Sequence, residues 1–379
     1  MLEAFFANPT AMIILTGALV GAAASLVGTF LVLRRSAMLS DAISHSIVFG
    51  IVVVWLLTRQ QSGPIQLVGA ALTGLLTVFL TELLVNSRKV KNDAAIGLVF
   101  PVLFAVGVLL LNLYARDVHI DTHTVLLGEI GFVWLDTMTI GGIEVPQAVV
   151  WMGAVTLVNA LFVLLLFKEL KLATFDPQLA QALGFAPTLL FYGLLGLTSV
   201  TAVAAFDAVG AVMFIAFVII PPAAAYLLTD RLVIMLALAI AIAFAASVSG
   251  YGLAIAADVS IGGMMAVMTG VFLGLAFTFG PRYGLVAQSL RAWRQRYGDE
   301  LRALVVHLYD HESGPFQDEE NVASALEHHL QWSPRKASAV LERGLADGVV
   351  LREGRALHLT TKGRSLAREL AEPWRRAAA

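Results

Sequence analysis

Nine mainly apolar stretches, each long enough to cross a bilayer, follow one another through the first 280 residues. They lie near 11–33, 41–58, 64–86, 94–115, 147–168, 187–206, 208–228, 231–256 and 260–280. About 20 such residues in a helix span a hydrocarbon core of roughly 30 Å. Lipid offers no partner to a free N–H or C=O, so each stretch must close its backbone hydrogen bonds within itself, as helix. The expected fold class is therefore an all-α polytopic membrane protein of about eight or nine transmembrane helices. The first stretch is not a cleaved signal, because no basic segment precedes it and it runs into a basic loop and another span. A chain that is 58% hydrophobic and 14% charged, with mean hydropathy +0.81, is not a purely soluble enzyme.

The charges divide the chain. Residues 1–280 hold 10 Lys/Arg and 14 Asp/Glu, whereas the last 99 residues hold 15 and 13. This split gives a transmembrane domain over 1–287, a linker over 288–298 and a soluble domain over 299–379. Cysteine is absent, which excludes disulfides, thiolate metal sites and cysteine nucleophiles. Any metal must be held by His, Asp, Glu or backbone oxygen.

Basic residues beside the spans set orientation. Arg34 and Arg35, then Arg88, Lys89 and Lys91, then Lys168 and Lys171, then Arg231, then Arg282 and Arg291 fall on alternate connections, which are expected to be cytoplasmic. The opposite 116–146 connection is acidic and is expected to face outward. It carries Asp117, Asp121, Glu129, Asp136 and Glu144 against Arg116.

Ionisable groups at membrane depth are costly and call for a reason. Asp41 and His45, in SDAISHS, are four apart and share one helical face. Two readings fit them: a carboxylate–imidazole pair that handles a divalent cation, or a helix cap followed by a histidine bonded to a neighbouring helix. His119, Asp121 and His123, in HIDTH, alternate and would share one side of an extended segment at the outer mouth. They are candidate metal ligands, with a solvated polar loop as the alternative. Asp207 and Glu129 are lone acids near span ends. The pair Pro221–Pro222 is expected to break or kink its span. The connection KELKLATFDPQLAQALGFAP starts a short amphipathic helix at Asp176–Pro177 and stops it at Gly184. It suits either an interfacial anchor or a groove on a soluble partner.

Residues 299–372 alternate as helices and two short strands. Helical period runs through ELRALVVHLYDHE, ENVASALEHHL and SPRKASAVLERGLADG, where Ser333 caps, Pro334 opens and Gly348 stops the third helix. The strands VVLREG and RALHLT flank Gly354, and a last helix starts at Thr361. This is the order of a cytoplasmic winged-helix α/β domain. Its third helix carries Arg335, Lys336 and Arg343, candidates for phosphate contact or protein docking. Acidic neighbours leave a weak electrostatic footprint for nucleic acid. His307, His311, His328 and His329 are either a ligand cluster or exposed helix histidines.

Five ordered blocks carry a resemblance that covers nearly all of residues 10–287: FLVLRRSAMLSDAISHSIVFGI, KNDAAIGLVFPVLFAVGVLL, FKELKLATFDPQLAQALGF, AAFDAVGAVMFIAFVIIPPAAAYLLTDRL and FGPRYGL. Together they resemble the permease subunits of bacterial ABC importers for manganese, zinc and iron. The resemblance implies a non-enzymatic inner-membrane subunit with no permanently bound cofactor, whose cargo is Mn, Zn or Fe. It places Asp41 and His45 on the metal pathway. It makes Asp176, Pro177, Leu179 and Gly184 the helix that couples to a separate ATPase subunit. The implied partners are that ATPase, an extracytoplasmic metal-binding protein and a second permease subunit, like or unlike this one, within membrane lipid. The chain departs from the family pattern at Asp207, where Glu is frequent, and at Pro221–Pro222. Its tail resembles the DNA-binding domain of iron-dependent metalloregulators, ending in LTTKGRSLARELAE. In keeping with a borrowed ATPase, no G-x-x-x-x-G-K-[ST] phosphate loop occurs. The alternative reading is a membrane-tethered, metal-responsive transcription regulator whose spans anchor it.

Overall fold

A computed structural model describes residues 5–59, 64–114, 128–312 and 317–377, and these form two compact units, Met1–Gly284 and Leu285–Ala379. The outer-mouth cluster His119, Asp121 and His123 lies outside the described residues.

The first unit is a helical bundle. Its helices are α1 (Pro9–Leu33), α2 (Ala37–Thr58), α3 (Pro64–Asn86), α4 (Asn92–Tyr114), α5 (Gln147–Leu165), α6 (Phe167–Phe175), α7 (Pro177–Ala182), α8 (Pro187–Leu228), α9 (Leu232–Ala257) and α10 (Ile261–Phe279). Eight spans long and apolar enough to cross a membrane occur among the described residues, counting α8 as two. Helix α3, 23 residues long, coincides with the third apolar stretch expected at 64–86. Helix α1 packs on α8, α9 and α5, and α8 in turn meets most of the other long helices. Its inward residues Val20, Val27 and Phe30 meet Phe214 and Phe217 of α8 in a solvent-free core. Gly28 allows this approach, since a Cβ there would run into the backbone of Val218.

The 42-residue α8 is broken once. Gly210 takes φ 76° and ψ 168°, a conformation essentially reserved for glycine, whereas Pro221 and Pro222 lie within helical backbone. The interruption expected at the proline pair is thus found eleven residues earlier, at the residue able to adopt it. Gly128 packs directly on the Val209–Gly210 peptide. The connection before α5 contains an antiparallel hairpin, β1 (Thr137–Ile140) and β2 (Ile143–Pro146). Its two-residue turn is Gly141–Gly142, both at positive φ as a primed turn requires.

The basic connections gather at one end of this bundle. Arg34 Nη1 donates to the Ala173 carbonyl at 3.4 Å and lies 4.2 Å over the Phe191 ring. Arg282 pairs with Asp230, and the Tyr283 hydroxyl donates to the same carboxylate at 3.2 Å. At the start of α1 and the end of α9, the Thr10 and Tyr251 hydroxyls are 2.8 Å apart.

The second unit contains α11 (Leu285–His311), α12 (Gln317–Glu320), α13 (Ala323–His329), α14 (Pro334–Ala346), strands β3 (Val350–Glu353) and β4 (Ala356–Leu359), and α15 (Thr361–Ala377). Residues 288–298, expected as a linker, lie inside α11. The strands pair antiparallel, with Val350 opposite Leu359. The core joins Leu304 and Leu308 of α11, Leu326 of α13, Val340 and Leu341 of α14, and Leu357 and Leu359 of β4. The alternation of Leu357 and Leu359 sends one face of the hairpin inward.

Candidate functional site

Helix α2 is clamped between two helices. Ser46 Oγ and Thr77 Oγ1 are 2.7 Å apart, joining α2 to α3. On the other side, a Cβ added to Gly107 of α4 would stand 2.9 Å from the N and Cα of Phe49. The helices therefore touch backbone to backbone, which only glycine permits. Phe100, Phe104 and Gly107 follow the i, i+4, i+7 spacing of one helical face. His45 and Phe49, four apart on α2, oppose that face.

Asp41 and His45 occupy the second and third turns of α2. The His45 Nε2 lies 3.5 Å from Asp41 Oδ1, and the two side chains are 37% and 33% exposed. One divalent ion held at ordinary distances spaces neighbouring N and O ligands by about 3.0–3.4 Å. The pair thus needs little rearrangement to share an ion. Phe100 stacks on His45 with centroids 5.7 Å apart, and Phe104 meets it edge-on at 6.4 Å. Serine hydroxyls nearby are turned onto the backbone, with Ser44 Oγ donating to the Asp41 carbonyl at 2.7 Å. The carboxylate and imidazole are the ionisable groups of this surface, and their chemistry is able to hold a divalent cation.

Two polar centres in the spans escape inspection of the sequence. The Tyr192 hydroxyl of α8 donates to Glu82 Oε2 of α3 at 2.5 Å. Fully buried Asn159 of α5 donates to the Ala23 carbonyl at 3.2 Å and to Thr201 Oγ1 at 2.8 Å, tying α1, α5 and α8 together. The intramembrane carboxylate of Glu82 is itself the signal that marks its site. Of the lone acids, Asp207 sits in α8 three residues before the Gly210 break, and Glu129 immediately precedes a short 3₁₀ turn, Ile130–Phe132.

At the basic end, Asp176 caps α7: its Oδ1 accepts from the Leu179 N–H at 2.9 Å. Pro177 is the first helical residue, and the segment ends at Gly184, φ 85°. Ala180 is buried against the bundle, whereas Phe175, Leu179 and Leu183 are exposed. Three large apolar side chains thus project from this segment, Leu179 from α7 itself and Phe175 and Leu183 from its two flanks.

In the second unit, Lys336 Nζ is 2.8 Å from Glu300 Oε1 and lies over the Trp332 ring, and Arg343 Nε is 3.7 Å from Asp347 Oδ2. Arg335 is exposed. Two of the three basic candidates are therefore matched by acids of their own unit. His307, His311 and His329 converge, with potential ligand atoms all within 4.8 Å of one another, and form the single such group found among the described residues. His328 is exposed and is not among them. Burial, and next the adjacent His311 and His329, draw the His307 pKa below its ordinary value.

Comparison with known proteins places this geometry in context. The model of the ABC 3 transport family matches residues 8–280. The zinc transport system membrane protein TroD of Treponema pallidum is 46% identical over 94% of this chain and 98% of its own length. The manganese transport system membrane protein MntD of Bacillus subtilis is 50% identical over 74% of this chain and 95% of its own. The match to TroD therefore reaches well into the second unit. A solved structure, PsaBC from Streptococcus pneumoniae in complex with Fab, superposes with a TM-score of 0.61 at 26% identity, covering 72% of this chain and 92% of that one. The family pattern spans the whole helical bundle, including the clamped α2 with its carboxylate–imidazole pair, so the chain belongs to the ABC 3 transport family.

Proposed function

We propose that this subunit carries Zn²⁺ or Mn²⁺ inward along a path on which Asp41 and His45 hand over the ion. The chain is a multi-pass permease of a metal ABC importer, and hydrolysis of ATP belongs to a separate subunit. The observation that carries the pathway reading is the 3.5 Å Asp41–His45 pair, partly exposed inside an otherwise apolar span. Charge is retained at membrane depth where it serves a polar path. An N/O ligand pair suits borderline divalent ions, and the exposed aromatic Phe104 forms part of its wall.

The basic end of the bundle faces the cytoplasm, following the excess of Arg and Lys there. Helix α7 lies at that end, and Phe175, Leu179 and Leu183 enter a groove on the ATPase. The acidic hairpin end receives metal from an extracytoplasmic binding protein, and a second permease copy or relative completes the path. The C-terminal unit is a cytoplasmic winged-helix module that serves docking and regulation. Its helix α14 uses Lys336 and Arg343 internally, which favours this role over DNA reading. Uptake of radioactive zinc and manganese by cells carrying Asp41→Asn or His45→Ala tests the pathway. Each variant should lose uptake at unchanged membrane abundance, and normal uptake by both would dismiss it.

A further inference from the structure

We infer that the C-terminal unit holds a metal site of its own, in which the imidazoles of His307, His311 and His329, with the carboxylate of Glu320, bind one divalent ion of the zinc class. His307 and His311 are one turn apart on α11, the i, i+4 arrangement that turns two imidazoles to the same point. Helix α13 delivers His329 at its last residue, and α12 delivers Glu320 at its last. Ring centroids are 4.5 Å apart for His307–His311, 5.3 Å for His307–His329 and 5.7 Å for His311–His329. Four ligands thus come from three helices that sequence alone does not bring together.

The nitrogens are prepared for a cation. His307 is 8% exposed, and its Nε2 is buried with no hydrogen-bond partner among the described residues. His311 Nδ1 lies 3.0 Å from the His307 carbonyl. A carbonyl only accepts, so Nδ1 carries the hydrogen and Nε2 presents its lone pair, the tautomer in which metal-binding histidines are commonly held. Glu320 Oε2 is 3.4 Å from that Nε2 and supplies negative charge. Tetrahedral zinc separates its ligand atoms by about 3.3 Å, so small side-chain rotations draw the three imidazoles, whose ligand atoms lie within 4.8 Å of one another, onto an ion beside Glu320. Three neutral imidazoles and one carboxylate, with no thiolate, suit Zn²⁺ and its neighbours rather than Cu⁺. Exposed His329 gives the ion its way in. Occupancy of this site signals imported metal and slows further uptake, a consequence that rests on the import reading above.

The test uses the purified full chain, dialysed against buffered free Zn²⁺ and analysed for bound metal. The combined variant His307→Gln, His311→Gln, His329→Gln should bind one equivalent fewer than wild type, while His328→Gln keeps that equivalent. Should the triple variant fail to fold, His329→Gln alone, at an exposed position, should abolish the visible spectrum of Co²⁺ bound at the cluster. Unchanged stoichiometry in the triple variant, or an unchanged Co²⁺ spectrum in the single one, overturns the site. In zinc-loaded cells wild-type uptake should fall several-fold relative to depleted cells, and the triple variant should not respond. An equal fall in both overturns the regulatory role. Absence of zinc and manganese uptake by wild type would defeat the import reading instead, with the metal count still deciding the site.

Discussion

Replacing Gly107 with alanine tests whether the α2–α4 contact positions the metal pair. The new methyl carbon would lie 2.9 Å from Phe49 N and Cα and 3.2 Å from the Val48 carbonyl carbon. All three are backbone atoms, so no side chain can swing away. Carbon atoms attract at roughly 3.5–4.0 Å, so the helices must part by about 0.6 Å or more. Overpacking of this kind costs about 1–3 kcal/mol. The displacement also carries Phe100 and Phe104, on the same face of α4, away from His45. Gly97 is the internal control: it lies on α4, and a Cβ there meets nothing within 4 Å. Alanine at position 97 should be neutral or mildly stabilising, by up to about 1 kcal/mol from helix propensity. Thermal unfolding in detergent and metal uptake at matched abundance read the two variants side by side. Gly107→Ala should be less stable than Gly97→Ala and transport more slowly. Equal stability and equal uptake would refute the clamp.

Other expectations address the remaining parts. Leu179→Pro should break α7 and release the ATPase on copurification or uncouple its hydrolysis from uptake, whereas Asp176→Ala, which removes one cap worth about 1 kcal/mol, should do so partially. Unchanged copurification and uptake in Leu179→Pro would make the segment an anchor. If the tail read DNA, contacts from Arg335, Lys336, Arg343, Arg352 and Arg355 would give a log–log salt slope of about −4.5. The detergent-solubilised chain should instead show no nanomolar, salt-sensitive duplex binding, and its detection would reject the docking role. Because burial and then its histidine neighbours depress the folded-state pKa of His307, the unfolded chain binds the extra proton first as pH falls below 6.5. The associated stability of the metal-free C-terminal unit is thus full above that pH and declines as pH drops through the lower folded-state value. His307→Gln should flatten this decline in thermal scans, and an unaltered pH profile would count against it.

The spans were legible because lipid imposes one solution on a long apolar run, and that constraint is local. The bundle's interior was less so. Pro221–Pro222 advertises a break by composition, yet helical dihedrals continue through it, and the interruption is at Gly210, where Gly128 docks. Small residues are common throughout these spans, so the one with unusual dihedrals is not distinguished by type. Asp41 and His45 were visible as an i, i+4 pair, whereas Phe100 and Phe104 join them only through packing. Glu82 and Tyr192, 110 residues apart, form a contact that no periodicity announces. In the tail, His307 and His311 share a face by spacing, but the choice between adjacent His328 and His329 depends on how α13 meets α11. The hairpin at Thr137–Pro146 was hidden within an acidic connection, although Gly141–Gly142 is a hairpin signal.

Reconstituted transport measures the central claim most directly. Proteoliposomes containing this chain, its ATPase and its permease partner would be supplied with metal-loaded binding protein and ATP, and zinc and manganese accumulation would be followed together with ATP hydrolysis. Wild type should accumulate metal, while Asp41→Asn and His45→Ala should fall to the no-ATP background with the complex still assembled. Accumulation at wild-type rate by both variants would contradict a path through the Asp41–His45 pair.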